Sequence, residues 1–312
     1  MTTTAKPTLA PRRHVANTVS NWVDRNLKWI FTAPAIAFVA LLIIFPIGYT
    51  VFLSLTDSAS SVTRPFDFIG FDNYAYWLTD VTRFWPAVGR TAYFTAVALT
   101  LELGFGLAIA LLLRKTFRGQ SIVRVFILLP LVATPVAVGM MWLLIFEPTI
   151  GFANVLMKSL GLPAQLWLSG KESALNTIIF IDVWQWTPMI ILILLAGLST
   201  IPEEPEEAAL VDGANAWQRF RHVTLPLLMP TLGAAAILRS IDAMKTFDII
   251  YATKGRNGGS NNEAETLNML AYNESFGNSQ YGSAAALLML FLTFIIIILA
   301  VLAILRKKGT RV

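Results

Sequence analysis

The 312-residue sequence has no cysteine and only two histidines, His14 and His222. Without thiols there is no disulfide framework, no thiolate nucleophile, and no zinc–thiolate or iron–sulfur site. Two histidines so far apart argue against a histidine-built metal centre, so no metal ligands are assigned. Charge is scarce too. Asp, Glu, Lys and Arg together make up 14% of the chain, against about 25% in soluble domains. Apolar residues take their place: AVILMFWYC account for 55% and the mean hydropathy is +0.62. A water-soluble globule cannot hide that much apolar surface, and disordered chains are poor in these residues. The chain belongs in a lipid bilayer.

About 20 apolar residues cross roughly 30 Å of hydrocarbon. Five stretches qualify clearly: Ile30–Leu55, Thr91–Leu113, Ile122–Phe146, Leu175–Leu198 and Ser283–Leu305. A sixth, Leu227–Tyr251, is interrupted by Arg239, Asp242, Lys245 and Asp248. The expected fold is all-α, a polytopic membrane protein with six transmembrane helices. Residues 1–29 form an N-terminal tail, 30–305 the six-span domain and 306–312 a C-terminal tail. The first stretch exceeds the 7–15 apolar residues of a secretory signal and has no convincing cleavage site, so it reads as a retained anchor.

The net charge of +5 is a topology signal rather than a nucleic-acid signal. Lys and Arg number 15 in the two tails and the second and fourth loops, against 7 in the first, third and fifth loops. Basic residues stay on the cytoplasmic side, which predicts cytoplasmic termini and an even number of crossings. The fifth stretch must then span. An isolated charge at mid-membrane costs roughly 2.5–3.5 kcal/mol on insertion scales, so this helix belongs inside the bundle or against a water-filled cavity. Its charges alternate in sign at i, i+3 spacing, which predicts an Arg239–Asp242 and Lys245–Asp248 ladder. Asp242 and Thr246 share a face and are also able to meet hydroxyl groups of a substrate. Glu102 and Asp182 need partners that the sequence does not name.

Span four carries Trp184, Gln185 and Trp186 about ten residues in, or roughly 15 Å deep at 1.5 Å per residue. Tryptophans normally gather at the membrane interfaces. Stacking on a sugar's apolar face, with Gln185 bonding hydroxyls, is one reading; packing among helices beside a Pro188 kink, with Met189 one turn on, is the other. In the fifth loop, the GRNGGSNN run reads as solvated. The Trp77, Arg83 and Trp85 region of the first loop reads as a docking surface.

The fourth loop, residues 201–230, is IPEEPEEAALVDGANAWQRFRHVTLPLLMP. Pro202 and Pro205 suit a helix's first turn, the four glutamates at 203, 204, 206 and 207 favour its positive end, and Gly213 is a natural place to stop. Glu207-Ala208-Ala209, three residues, Gly213, nine residues, then Val223-x-Leu225-Pro226 resembles the signature loop of ABC-importer permeases, E-A-A, G, I-x-L-P, with valine for isoleucine. Asp212-Gly213-Ala214 is similar to the form in the carbohydrate-uptake branch. Ala33-Pro34, Phe45-Pro46-Ile47-Gly48-Tyr49, Phe68-x-Gly70-x-x-Asn73-Tyr74, Trp184–Pro188 and Phe247-Asp248-x-Ile250-Tyr251 extend the resemblance from about residue 30 onward. The family's Thr-Gly-Gly-Pro after span five is replaced by Thr253–Ser260.

The resemblance implies the type I ABC-importer permease fold in a bacterial or archaeal plasma membrane. It implies a second homologous permease subunit, a cytoplasmic ABC ATPase dimer and an extracytoplasmic sugar-binding protein. The loop helix 203–213, within a coupling loop 201–226, would dock on the ATPase through Glu207, Ala208, Ala209, Asp212, Gly213, Leu225 and Pro226. The chain has no G-x-x-x-x-G-K-[ST] loop, so ATP and Mg would bind the partner ATPase and this chain would hold no cofactor and catalyse nothing. A sugar is the expected substrate. A polyol or glycerol phosphate is the nearest alternative, and an ion-coupled secondary transporter a more distant one that lacks visible internal repeats.

Overall fold

The computed structural model describes residues 14–59 and 65–309. Of the basic residues counted for topology, Lys6, Arg12, Arg13, Arg64 and Arg311 lie outside them. Among the described residues the secondary structure is helical, apart from one isolated bridge between Thr56 and Phe68. Five helices are long and apolar enough to cross a membrane, and a bent pair makes a sixth.

The chain divides into two compact units, Met1–Phe52 and Leu53–Val312. The first holds most of α1 (His14–Ser54), of which Arg25–Ser54 is the apolar length. The described part of the expected tail, from residue 14, therefore continues the helix. Pro34 and Pro46 sit inside α1, where each removes one backbone N–H from the helix ladder; Thr50 Oγ1 makes a threonine back-bond to the Pro46 carbonyl at 2.8 Å.

The second unit is organised around α3 (Phe84–Arg114), α7 (Ala174–Ser199) and α10 (Leu225–Met244). Apolar side chains cannot drive helices together in lipid, so small residues that allow close approach do much of that work. A Cβ on Gly106 of α3 would lie 2.5 Å from Ile190 Cγ2 of α7, and one on Gly197 would lie 2.6 Å from Thr231 Cγ2 of α10. Gly106→Val is expected to destabilise the bundle by roughly 1–3 kcal/mol through overpacking, measurable as an earlier unfolding midpoint in detergent. An unchanged midpoint would show that α3 and α7 do not pack this closely.

The third span is not one helix. α4 (Gln120–Val132) and α5 (Pro135–Ile145) are bent by 98° across Ala133 and Thr134. A residue before proline is pushed out of the helical region, and Thr134 accordingly sits at φ −67°, ψ 144°. The fifth span is broken as well. α10 ends at Met244, and α11 (Asp248–Lys254) restarts after Lys245–Phe247. The two short helices that follow the breaks lie together: a Cβ on Gly139 of α5 would be 2.9 Å from the Ala252 Cβ of α11.

The fifth span also starts earlier than expected. α9 (Ala216–Arg219) runs through a π-helical turn, Phe220–Thr224, into α10. Pro226 and Pro230 therefore lie within a continuous helix, and the widened turn ahead of Pro226 absorbs the missing N–H and the ring's bulk. The last span, α13 (Tyr281–Gly309), extends beyond the expected 305, so the described part of the C-terminal tail is helical.

The loops opposite α9 are also ordered. α2 (Asp72–Thr79), α6 (Phe152–Ser159) and α12 (Leu267–Tyr272) occupy stretches read as plain loop. Trp77 is buried and donates to the Ser283 carbonyl at 3.0 Å. Arg83 pairs with buried Glu265, so only Trp85 of the supposed docking surface stays exposed. In the fifth loop Arg256, Asn257, Ser260 and Asn261 are exposed, as the Gly/Asn-rich run suggested, while Gly258 and Gly259 are buried; just after the run Glu263 pairs with Lys254 at 2.6 Å, and Ala264 and Glu265 are fully buried. Burial raises the Glu265 carboxyl above its ordinary value, against the pull of Arg83.

Candidate functional site

Two sites were expected, and the structure builds each differently. The loop helix α8 (Glu204–Val211) lies within the expected 203–213. Its end is a Schellman closure: Ala214 N–H donates to the Ala209 carbonyl at 2.9 Å and Gly213 N–H to Leu210 at 3.1 Å. Gly213 takes φ +81° to make that closure, a conformation that costs other L-residues about 1–2 kcal/mol. Asn215 and Gln218 then form a capping box that starts α9.

Glu207, Ala208, Asp212 and Pro226 are exposed, while Ala209 and Leu225 are half-buried. Bare apolar side chains accompany them: Leu210, Val211 (88% exposed) and Trp217. The residue tying this loop to the bundle is Glu206, which the sequence reading passed over. Its Oε1 accepts from Arg114 Nη1 at 2.6 Å and from Thr224 Oγ1 at 2.8 Å. Burial alone would raise this carboxyl, but the bonds from Arg114 and Thr224 outweigh it and hold the group below the ordinary glutamate range.

A carboxyl with a lowered folded-state value stabilises above its unfolded value and loses that contribution as pH falls through the folded one. The attachment of α8 should thus hold at neutral pH and weaken only in acid, below about 4.3. Protection of the α8 amides, exchange taken relative to the intrinsic rate at each pH, should fall in that window, and Glu206→Gln should be less protected at neutral pH with no such acid step. Equal exchange in both proteins at all pH values would remove Glu206 from this role.

The second site lies at the helix breaks. Arg239 of α10 is 1% exposed and does not pair with Asp242 as the ladder required. It forks onto Glu102 of α3, with Nε to Oε2 at 2.6 Å and Nη2 to Oε1 at 2.9 Å, and Nη2 also bonds Asp182 of α7. The guanidinium rests 5.3 Å from the centre of the Trp186 ring. A planar fork matches a carboxylate bidentately, a geometry that i, i+3 neighbours on one helix do not offer. Lys245 does pair with Asp242, at 3.7 Å and largely exposed, but Asp248 joins no ion pair among the described residues.

Arg239 lines an open cavity of about 290 Å³ whose walls also include Asp182, Trp186, Asp242, Lys245, Thr246 and Asp248, with Pro135 and Phe247 at the breaks. Three of the expected path residues, Trp186, Asp242 and Thr246, thus meet at one place. The other three do not. Trp184 faces away, edge-on to Trp142 at 5.5 Å. Met189 is half-buried against the apolar cluster of α3 and α7. Gln185 is buried, and its Nε2 donates to the Ala133 carbonyl at 3.1 Å, supplying a donor to backbone at the α4–α5 break. Pro135 and Phe247 went unnoticed as cavity walls. The Thr-Pro step at 134–135 was the available signal.

Comparison with known proteins places this geometry. A family model described as binding-protein-dependent transport system inner membrane component matches residues 102–310. The trehalose/maltose transport system permease protein MalF of Thermococcus litoralis is 35% identical over 86% of this chain and 90% of its own. The trehalose transport system permease protein SugA of Mycobacterium tuberculosis is 34% identical over 88% of this chain and 87% of its own. Among solved structures, a bacterial alginate ABC transporter in complex with an alginate pentasaccharide-bound periplasmic protein has a chain with the same fold. Its TM-score is 0.79 at 19% identity, covering 93% of this chain and 97% of that one. The signature loop, the helical bundle and these likenesses agree: the chain belongs to the family of binding-protein-dependent ABC-importer permease subunits.

Proposed function

We propose that this subunit forms half of a transmembrane path for a sugar, with a second homologous permease forming the other half. A separate ATPase dimer drives it, and an extracytoplasmic binding protein delivers the substrate. The observation that carries the sugar reading is the polar cavity at the two helix breaks. An indole ring, a hydroxyl and carboxylates converge there inside an otherwise apolar bundle, a set suited to a ring with an apolar face and many hydroxyls. The names of the two permease relatives, which transport trehalose or maltose, point the same way.

Coupling runs through α8 in this reading. Glu206 fixes the loop to Arg114 from within, which leaves Glu207, Leu210 and Val211 for the motor protein to cover. Both termini and this loop are then cytoplasmic, ATP and Mg stay on the partner, and this chain catalyses nothing. Transport becomes a population shift between two packings of the bundle, driven by the nucleotide state of a partner.

The test is sugar uptake into vesicles holding the assembled importer. Uptake should require ATP inside or on the motor side and survive an ionophore. Collapse with the ionophore and indifference to ATP would overturn the proposal in favour of an ion-coupled carrier.

A further inference from the structure

The charges around the cavity do more than mark a path. Its walls hold three carboxylates, Asp182, Asp242 and Asp248, against two cations, Arg239 and Lys245. Both cations are already engaged. Arg239 is shared between Glu102 and Asp182, and Lys245 sits beside Asp242. Asp182 is fully buried, and its Oδ1 has no hydrogen-bond partner. Asp248 is exposed and joins no ion pair among the described residues. The unfilled capacity is therefore for accepting hydrogen bonds, and the uncompensated charge is negative.

Resting on the sugar reading above, we propose that this cavity selects uncharged, hydroxyl-rich sugars and rejects sugars carrying a carboxylate, sulfonate or phosphate. A neutral hydroxyl donates to Asp242 or Asp248, the two exposed carboxylates, without adding charge. An anionic substituent places like charge beside these groups, where carboxylates outnumber cations and both cations are already paired. Selection here works by repelling the wrong substrate as much as by holding the right one. The Trp186 ring supplies the apolar face, and its stacking with Arg239 leaves that guanidinium poorly placed to receive an anion.

The test uses the whole importer in proteoliposomes with a panel of neutral disaccharides, each paired with the derivative in which one primary alcohol is oxidised to a carboxylate. The binding protein is the same in every arm, so a change in the neutral-to-acidic uptake ratio between variants belongs to this chain. A neutral member is expected to accumulate and its acid counterpart to lag. Asp248→Asn and Asp242→Asn should each narrow the ratio at least about fivefold, the factor from removing one charge at about 4 Å in water-like surroundings. The ratio is read at matched amounts of folded complex, so poor folding of one variant leaves the other decisive. An acid derivative entering as fast as its neutral parent, or ratios unmoved in both variants, overturns the charge selection while the sugar reading stands. If no member of either panel enters, the sugar reading falls and this inference with it.

Discussion

Arg239→Leu should cost the folded bundle about 3–5 kcal/mol, the range for breaking a buried ion pair by removing one partner. The loss is large because two acids depend on the same guanidinium. Glu102 and Asp182 are both fully buried, on different helices, and each would be left without its cation among apolar side chains, to stay charged at high cost or to take up a proton. The cation–π contact with Trp186 would go as well. Equilibrium unfolding in detergent, read by tryptophan fluorescence, should show the midpoint falling. Adding Glu102→Leu and Asp182→Leu to Arg239→Leu should recover much of the loss, since well-packed apolar replacements of buried ion triads are often neutral or stabilising. A single variant within about 1 kcal/mol of the parent, the size of an exposed pair, would show that the triad is not the buried tie described here.

Gly213→Val should abolish most uptake while the bundle itself stays folded. Nothing lies within 4 Å of a Cβ at Gly213, so steric clash plays no part. What opposes the substitution is φ +81°, which costs a β-branched residue at least the ~1–2 kcal/mol of the left-handed region. The strain falls on the Schellman closure that fixes where α8 stops and in which direction the chain leaves. Tilting a two-state docking equilibrium by that much changes it roughly 5–30-fold. Gly213→Asn is the control, because asparagine visits this region far more readily, and it should keep most of the uptake. Equal loss in both variants would mean that the bare surface of the glycine, and not its backbone angle, is what the partner needs.

The long apolar helices were legible because a bilayer leaves the chain few other ways to satisfy its backbone. Spans two, four and six emerge within a few residues, except that α3 begins seven residues before Thr91. The signature loop was legible because Pro205, the glutamates and Gly213 each state a local rule. The break at Thr134 escaped notice, since hydropathy averages across a proline without registering what it does to the residue before it. Arg239 was matched with Asp242 because spacing along one helix is visible in a sequence, whereas Glu102 lies 137 residues away. Burial of Glu263–Glu265 was hidden because the partners of its two glutamates, Lys254 and Arg83, come from other elements.

The same triad has a bearing on how the protein is made. A ribosome delivers spans two and four before span five, so Glu102 and Asp182 enter the membrane ahead of the arginine that neutralises them. Each waits at a cost of roughly 2.5–3.5 kcal/mol on insertion scales, either protonated or held near water. The tie between these three helices is therefore complete only once residue 239 has been inserted.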